Sequence, residues 1–119
     1  MSYDIEICVK TEMPNKWGNQ FVVIDRPEYD SPTYNLRDMF VACMEWDYKQ
    51  GEYYKITYVL PKIRHGIIEL TDNREAYERY NPPNGWGDLY GALECLESLH
   101  TCIYECLEDW SIEALYMKW

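Results

Sequence analysis

The run from Leu89 to Trp110 constrains this chain most. Leu89, Ala92, Leu93, Leu96, Leu99, Ile103, Leu107 and Trp110 recur at the spacing of one helix face. Glu94, Glu97, Glu105 and Glu108 fall together on the opposite side, with Asp109 beside them. A helix so divided must bury one flank, so the rest of the chain has to supply an apolar surface against it. Asp88 stands where a helix cap is needed.

The partner surface is read from the rest of the sequence. From residue 3 to 10, Tyr3, Ile5, Ile7 and Val9 alternate with Asp4, Glu6, Cys8 and Lys10, which predicts a half-buried strand. Pro14, Asn15 and Gly18 mark a turn before Phe21-Val22-Val23-Ile24, so the two runs read as a hairpin. Pro27 and Pro32 forbid regular structure up to Tyr34. Asn35 is the expected cap of a helix carrying Leu36, Met39, Phe40 and Cys43 through Trp46.

A second helical pattern holds Val59, Leu60, Ile63, Ile67 and Leu70. Pro61 fits it in a first turn capped by Thr57, and a strand over 53–60 is the competing assignment. Arg74 to Tyr80 reads as a short helix, and Asn81-Pro82-Pro83-Asn84-Gly85-Trp86-Gly87 as a stiffly bent loop presenting one large aromatic. Ile112 to Trp119 reads as a strand that joins the hairpin. The expected fold is α+β: a small three-stranded antiparallel sheet, N-terminal hairpin plus C-terminal strand, packed with three or four helices in a single domain 1–119.

Charge narrows the function. The chain has 119 residues and a net charge of −10. From Asp88 onward there are seven acidic residues and one basic, whereas residues 49–87 are nearly balanced. Such a surface repels phosphate backbones, since nucleic-acid affinity comes from Lys and Arg displacing counterions. It attracts basic proteins and speeds their association. Glu94 and Glu105 stand roughly 16 Å apart along a helix axis, a span over which a DNA duplex also displays several phosphates. A solvated helix face is the plainer account of the same residues.

The five cysteines form no CxxC pair. Cys95, Cys102 and Cys106 lie in line along the last helix, but a tetrahedral ion needs a fourth ligand and His100 projects off that line. Only a residue from elsewhere, such as Cys43, could complete a site, so three buried small hydrophobes are expected, with no metal and no cofactor. The longest apolar run, Met39 to Met44, is far too short to span a bilayer, and Met1-Ser2-Tyr3-Asp4 has no leader character, so a cytosolic protein is expected.

Motifs for phosphate cradles, zinc hydrolysis and serine nucleophiles are absent from the sequence. His65 and His100 are the two histidines, and neither has a nucleophile placed for it by spacing. A non-enzymatic role is therefore expected. Twelve Tyr and five Trp stand out instead. Tyr29, Tyr34, Tyr48, Tyr53, Tyr54, Tyr80, Trp86 and Tyr90 lie outside the cleanest core positions, and such side chains serve interfaces or base stacking.

Four stretches, Ser31-Pro32-Thr33-Tyr34-Asn35-Leu36, Trp46-Asp47-Tyr48-Lys49-Gln50-Gly51-Glu52, the loop Asn81 to Gly87 and Leu115-Tyr116-Met117-Lys118-Trp119, carry a resemblance. In outline the chain resembles small uncharacterised acidic proteins carried by phages and mobile elements of Gram-positive bacteria. The resemblance implies a setting in which small binding proteins block host defence, in an anti-CRISPR-like or anti-restriction-like manner.

The leading expectation is thus an acidic inhibitor of a host defence nuclease or nucleic-acid-binding complex. Glu94, Glu97, Glu105, Glu108 and Asp109 would meet a basic partner, with Tyr80 or Trp86 as aromatic anchor. A nucleotide-signal sponge is the alternative, with Arg64, Arg74 or Arg79 on the phosphates. A structural or regulatory homodimer is the third.

Overall fold

The computed structural model describes residues 5–11, 16, 20–27, 34–83 and 87–119. Strands β1 (Glu6–Lys10), β2 (Phe21–Asp25), β3 (Tyr53–Lys55) and β4 (Leu115–Lys118) form one antiparallel sheet in the order β2-β1-β4-β3. Helices α1 (Arg37–Met44), α2 (Ile56–Asp72), α3 (Arg74–Tyr77) and α4 (Leu89–Cys106) complete the α+β fold. The sheet has four strands where the sequence predicts three. The added β3 is three residues long, too short to show alternation, and passes directly into α2.

β1 takes the sheet centre with β2 and β4 on either side. Ile5, Ile7 and Val9 point to the helices as their alternation predicts, and Leu115 and Met117 of β4 join them across the ladder. Cys8, assigned to the polar side, is instead fully buried. Rings account for this: Phe21 stacks on Tyr53 at 3.9 Å and meets Tyr116 edge-on at 5.1 Å over the outer face. The pairing Ile7↔Asp25 followed by Cys8↔Val23 leaves Ile24 as an extra residue, a β-bulge in β2.

Several helix boundaries move. A 3-10 turn at Tyr34–Leu36 precedes α1, so Leu36 rather than Asn35 occupies the cap position, with no side-chain cap bond. Glu45 adopts a left-handed φ of 50° and ends α1 before Trp46. Trp46 then folds back with Tyr48, which is fully buried 4.7 Å from the Trp119 ring, although its position in the sequence places it outside the core. Arg37 fixes that return, donating to Asp47 Oδ1 and the Tyr48 carbonyl, both at 2.9 Å, and lying over the Tyr48 ring.

α2 starts at Ile56, not after Thr57, so Pro61 sits in its second turn. Thr57 and Pro61 share an exposed helix face, where water can serve the carbonyl that loses its N–H partner. α4 ends at Cys106, short of Trp110, which is half exposed. Of its apolar stripe, Leu89, Ala92, Leu96, Leu99 and Ile103 are in the core, while Leu93 and Leu107, the latter just past the helix end, are half-buried against it. Two oxygens close its N-terminus, Asn81 Oδ1 accepting from Leu89 N and Asp88 Oδ1 from Gly91 N. Gly87 precedes them at φ +99°, with a Cβ there only 3.0 Å from Leu36. Among the described residues no helix is long and apolar enough to cross a membrane.

Gly66 of α2 packs tightly against α4 and α1. A Cβ on that residue would lie 2.8 Å from Leu96 Cδ1 and 2.9 Å from Met44 Cγ. Gly66→Ala should therefore destabilise the fold by up to about 2 kcal/mol, overpacking of about 1–3 kcal/mol being offset by the roughly 1 kcal/mol that alanine gains in a helix. Urea unfolding should show a lower midpoint with unchanged slope; a raised midpoint would contradict the close crossing.

Candidate functional site: an acidic face on α4 and β2

The seam that buries α4 on α2 fixes which side chains remain outside. Glu94, Glu97, Glu105, Glu108 and Asp109 are all exposed. Glu94, Glu97 and Glu105 line a groove of about 560 Å³ whose other wall is the end of β2, with Asp25, Arg26 and Pro27. Glu105, Glu108 and Asp109 continue into a second groove of about 510 Å³ that again includes Asp25 and also Trp110. The five carboxylates therefore form one flank that shares Glu105 and Asp25.

None of these five acids forms an ion pair with a described residue. Arg26, the one cation among the described residues that line the first groove, is held elsewhere, 3.0 Å from Glu6, which also lies 3.6 Å from Lys118. Three arginines outside this groove meet tyrosines. Arg64 donates to Tyr104 Oη and to His100 Nε2, Arg74 to Tyr90 Oη at 3.3 Å and Arg79 to Tyr80 Oη at 3.1 Å. Arg64 and Arg74 border different depressions, and Arg79 lines neither, so the three do not gather around one phosphate.

Tyr80 lies in the 3-10 turn after α3, stacked 6.3 Å from Tyr77, and lines neither acidic groove. As an anchor beside the glutamates it is therefore not brought to the site. Trp86 and Tyr29, with the side chain of Tyr34, lie outside the described residues. Tyr53 and Tyr54 divide between the two faces of the sheet, Tyr53 stacking on Phe21 and Tyr54 meeting Trp46 at 4.8 Å. His65 stands 3.8 Å from Glu45 and 4.0 Å from Glu69 rather than beside a nucleophile. Burial first, then the charge of Arg64, lowers the His100 pKa below its ordinary value.

Cys95, Cys102 and Cys106 lie along the buried side of α4 as their spacing predicts, and they differ in what they meet. Cys95 is wholly inside, whereas Cys102 and Cys106 reach the boundary of the acidic grooves, where Asp25 of β2 meets them. The Cys102 thiol donates to Asp25 Oδ2 at 3.1 Å, and Cys106 Sγ lies 4.0 Å from the same oxygen. Spacing in the sequence could not find Asp25, which lies 77 positions before Cys102.

Burial raises the thiol pKa of Cys8 to about 11, with Glu6 adding to it, and of Cys43 to about 12. Burial likewise raises Cys95 to about 12, helped by Glu94. Near neutral pH these three are protonated and inaccessible, hence weak nucleophiles. An alkylating reagent should therefore label Cys8, Cys43 and Cys95 in the native protein only at the rate of unfolding, rising with denaturant. Peptide mass mapping that found fast native labelling at any of them would contradict this burial. Comparison of the chain with protein-family models, curated proteins and solved structures finds no match.

Proposed function

We propose that this chain is a cytosolic, non-enzymatic binding protein whose acidic α4 face engages a basic partner, as an inhibitor of a host defence nuclease or related nucleic-acid-binding complex would. The observation that carries this reading is the unpaired carboxylate flank: Glu94, Glu97, Glu105, Glu108 and Asp109 are exposed, contiguous through two grooves and free of ion pairs with described residues. A protein that used these acids only within its own fold would clamp them with its lysines and arginines. Here Arg26, in the first groove, is directed to Glu6, and Arg64, which shares a depression with Glu97, to the Tyr104 ring.

Glu94, Glu97 and Glu105 on α4 also cost little to present, because the helix is held by its buried seam before any partner arrives, and Glu108 and Asp109 follow in the turn just after it. Glu94 with Glu97, and Glu105 with Glu108 and Asp109, form two groups of charge each within about one Debye length, about 10 Å at 0.1 M salt, and Asp25 borders both grooves that join them. The grooves are open, and a protein surface bearing Arg and Lys side chains fits them better than a small anion does. The dispersed, ring-bound arginines give no comparable support to a nucleotide sponge.

Charge reversal tests this. Immobilised protein should capture a basic partner from lysate of its host at low salt and release it steeply as salt rises. Excess duplex DNA should compete for the same partner. The triple variant Glu94→Lys, Glu97→Lys, Glu105→Lys should lose at least about a hundredfold in affinity, three charge contacts at about 1 kcal/mol or more each. A folded triple variant that captures the same partner over the same salt range would refute the proposal.

A further inference from the structure

Beyond the acidic contact face, we propose that Asp25, Cys102 and Cys106 form a binding site for one divalent ion of the zinc class, which ties the edge strand β2 to the last turn of α4. The three ligand atoms, one carboxylate oxygen and two sulfurs, all lie within 4.8 Å of one another. A tetrahedral ion with bonds of about 2.0–2.3 Å separates its ligands by roughly 3.3–3.8 Å. The observed separations of 3.1 Å and 4.0 Å from Asp25 Oδ2 to the two sulfurs bracket that range. Small side-chain adjustments close the cage.

The elements that hold the ligands are suited to the task. Cys102 and Cys106 stand at i and i+4 on α4, one above the other on the same face, so the helix sets their spacing. Asp25 is aimed by the β-bulge. Without the extra residue Ile24, strict alternation would pair Ile7 with Ile24 and turn Asp25 to the outer face of the sheet. With it, Asp25 pairs with Ile7 and faces the helix layer.

The donor set has the chemistry of such a site. Two sulfurs with one carboxylate suit a borderline-soft ion and disfavour magnesium or calcium, which take oxygen ligands. Both cysteines are more than nine-tenths buried, at 7% and 8% exposure, so the ion would be shielded on the sulfur side. On the other side Asp25 opens to both acidic grooves, where solvent can complete the fourth position. The surrounding carboxylates attract the ion, and two thiolates with one carboxylate outweigh its double charge. On binding, each thiol gives up its proton to solvent as its sulfur–metal bond forms.

Cobalt(II) is the probe, because thiolate coordination gives an intense charge-transfer band and a tetrahedral visible spectrum. The full-length protein, stripped of metal and kept reduced, should develop both signals with one equivalent of cobalt(II) and lose them to one equivalent of zinc(II). Cys102→Ser and Cys106→Ser should each lose the charge-transfer band or weaken binding at least tenfold. Cys95→Ser, a buried thiol on the same helix, should keep both. Asp25→Asn preserves the shape of the side chain and should also weaken binding about tenfold, which keeps the test sound if a serine variant fails to fold. No band in the wild-type protein overturns the proposal. So does a band that persists unchanged in folded Cys102→Ser and Cys106→Ser, or in Asp25→Asn at unchanged affinity. No partner protein enters the measurement, so its outcome is independent of the contact proposed for the acidic face.

Discussion

One-sided burial of α4 is the constraint on which the rest of this structure depends. Leu89, Ala92, Leu96, Leu99 and Ile103 lie inside, each large aliphatic side chain contributing about 1.5–3 kcal/mol of transfer free energy. Their seat is α2, where the absence of a side chain at Gly66 admits Leu96. Because a helix is rigid in rotation once its seam is seated, the carboxylates have no choice of direction. Their exposure follows from leucine packing rather than from anything the acids do for one another.

The same seating carries Cys102 and Cys106 to the edge of the sheet. The pairing of β1 with both β2 and β4 holds that edge in register, and the bulge after Val23 decides which face Asp25 presents. A one-residue difference in a short hairpin thereby changes the neighbours of a helix much later in the chain. Such long-range consequences are costly to assemble early in folding, and they are stable once the core around Trp119, Tyr48 and Phe40 closes.

Features governed by local periodicity were legible in the sequence. The amphipathic α4, its Asp88 cap and the β1 alternation follow from spacing over a few residues, and the C-terminal strand joins the hairpin because a two-stranded ribbon needs a further strand to bury its apolar side. The misses share a different physics. β3 has three residues, so its strand character comes from the partner β4 rather than from its own pattern. Tyr48 is buried because Arg37 pulls the chain back after a left-handed Glu45, which composition does not encode. The acidic residues of the candidate site were identifiable, as helix faces are. Their second wall was not: Asp25 depends on a bulge, and a bulge is a property of two paired strands.

Electrostatic pairing explains why the acidic flank stays open in a chain that has basic residues to spend. Glu6, itself well covered, takes both Arg26 and Lys118 on the outer side of the sheet. Arg64, Arg74 and Arg79 lie over Tyr104, Tyr90 and Tyr80, each ring within 5.6 Å of its guanidinium. A cation against an aromatic face keeps much of its hydration and is held by about 0.5–1 kcal/mol at exposed sites. Moving it to a surface carboxylate would gain no more, since exposed ion pairs are worth a similar amount. Negative charge can therefore accumulate along α4 at little cost to the fold, each added acid paying only a screened repulsion from its neighbours. That repulsion is relieved by whatever cation reaches the groove, so the flank is most strained electrostatically when it is alone and most favourable when it is covered.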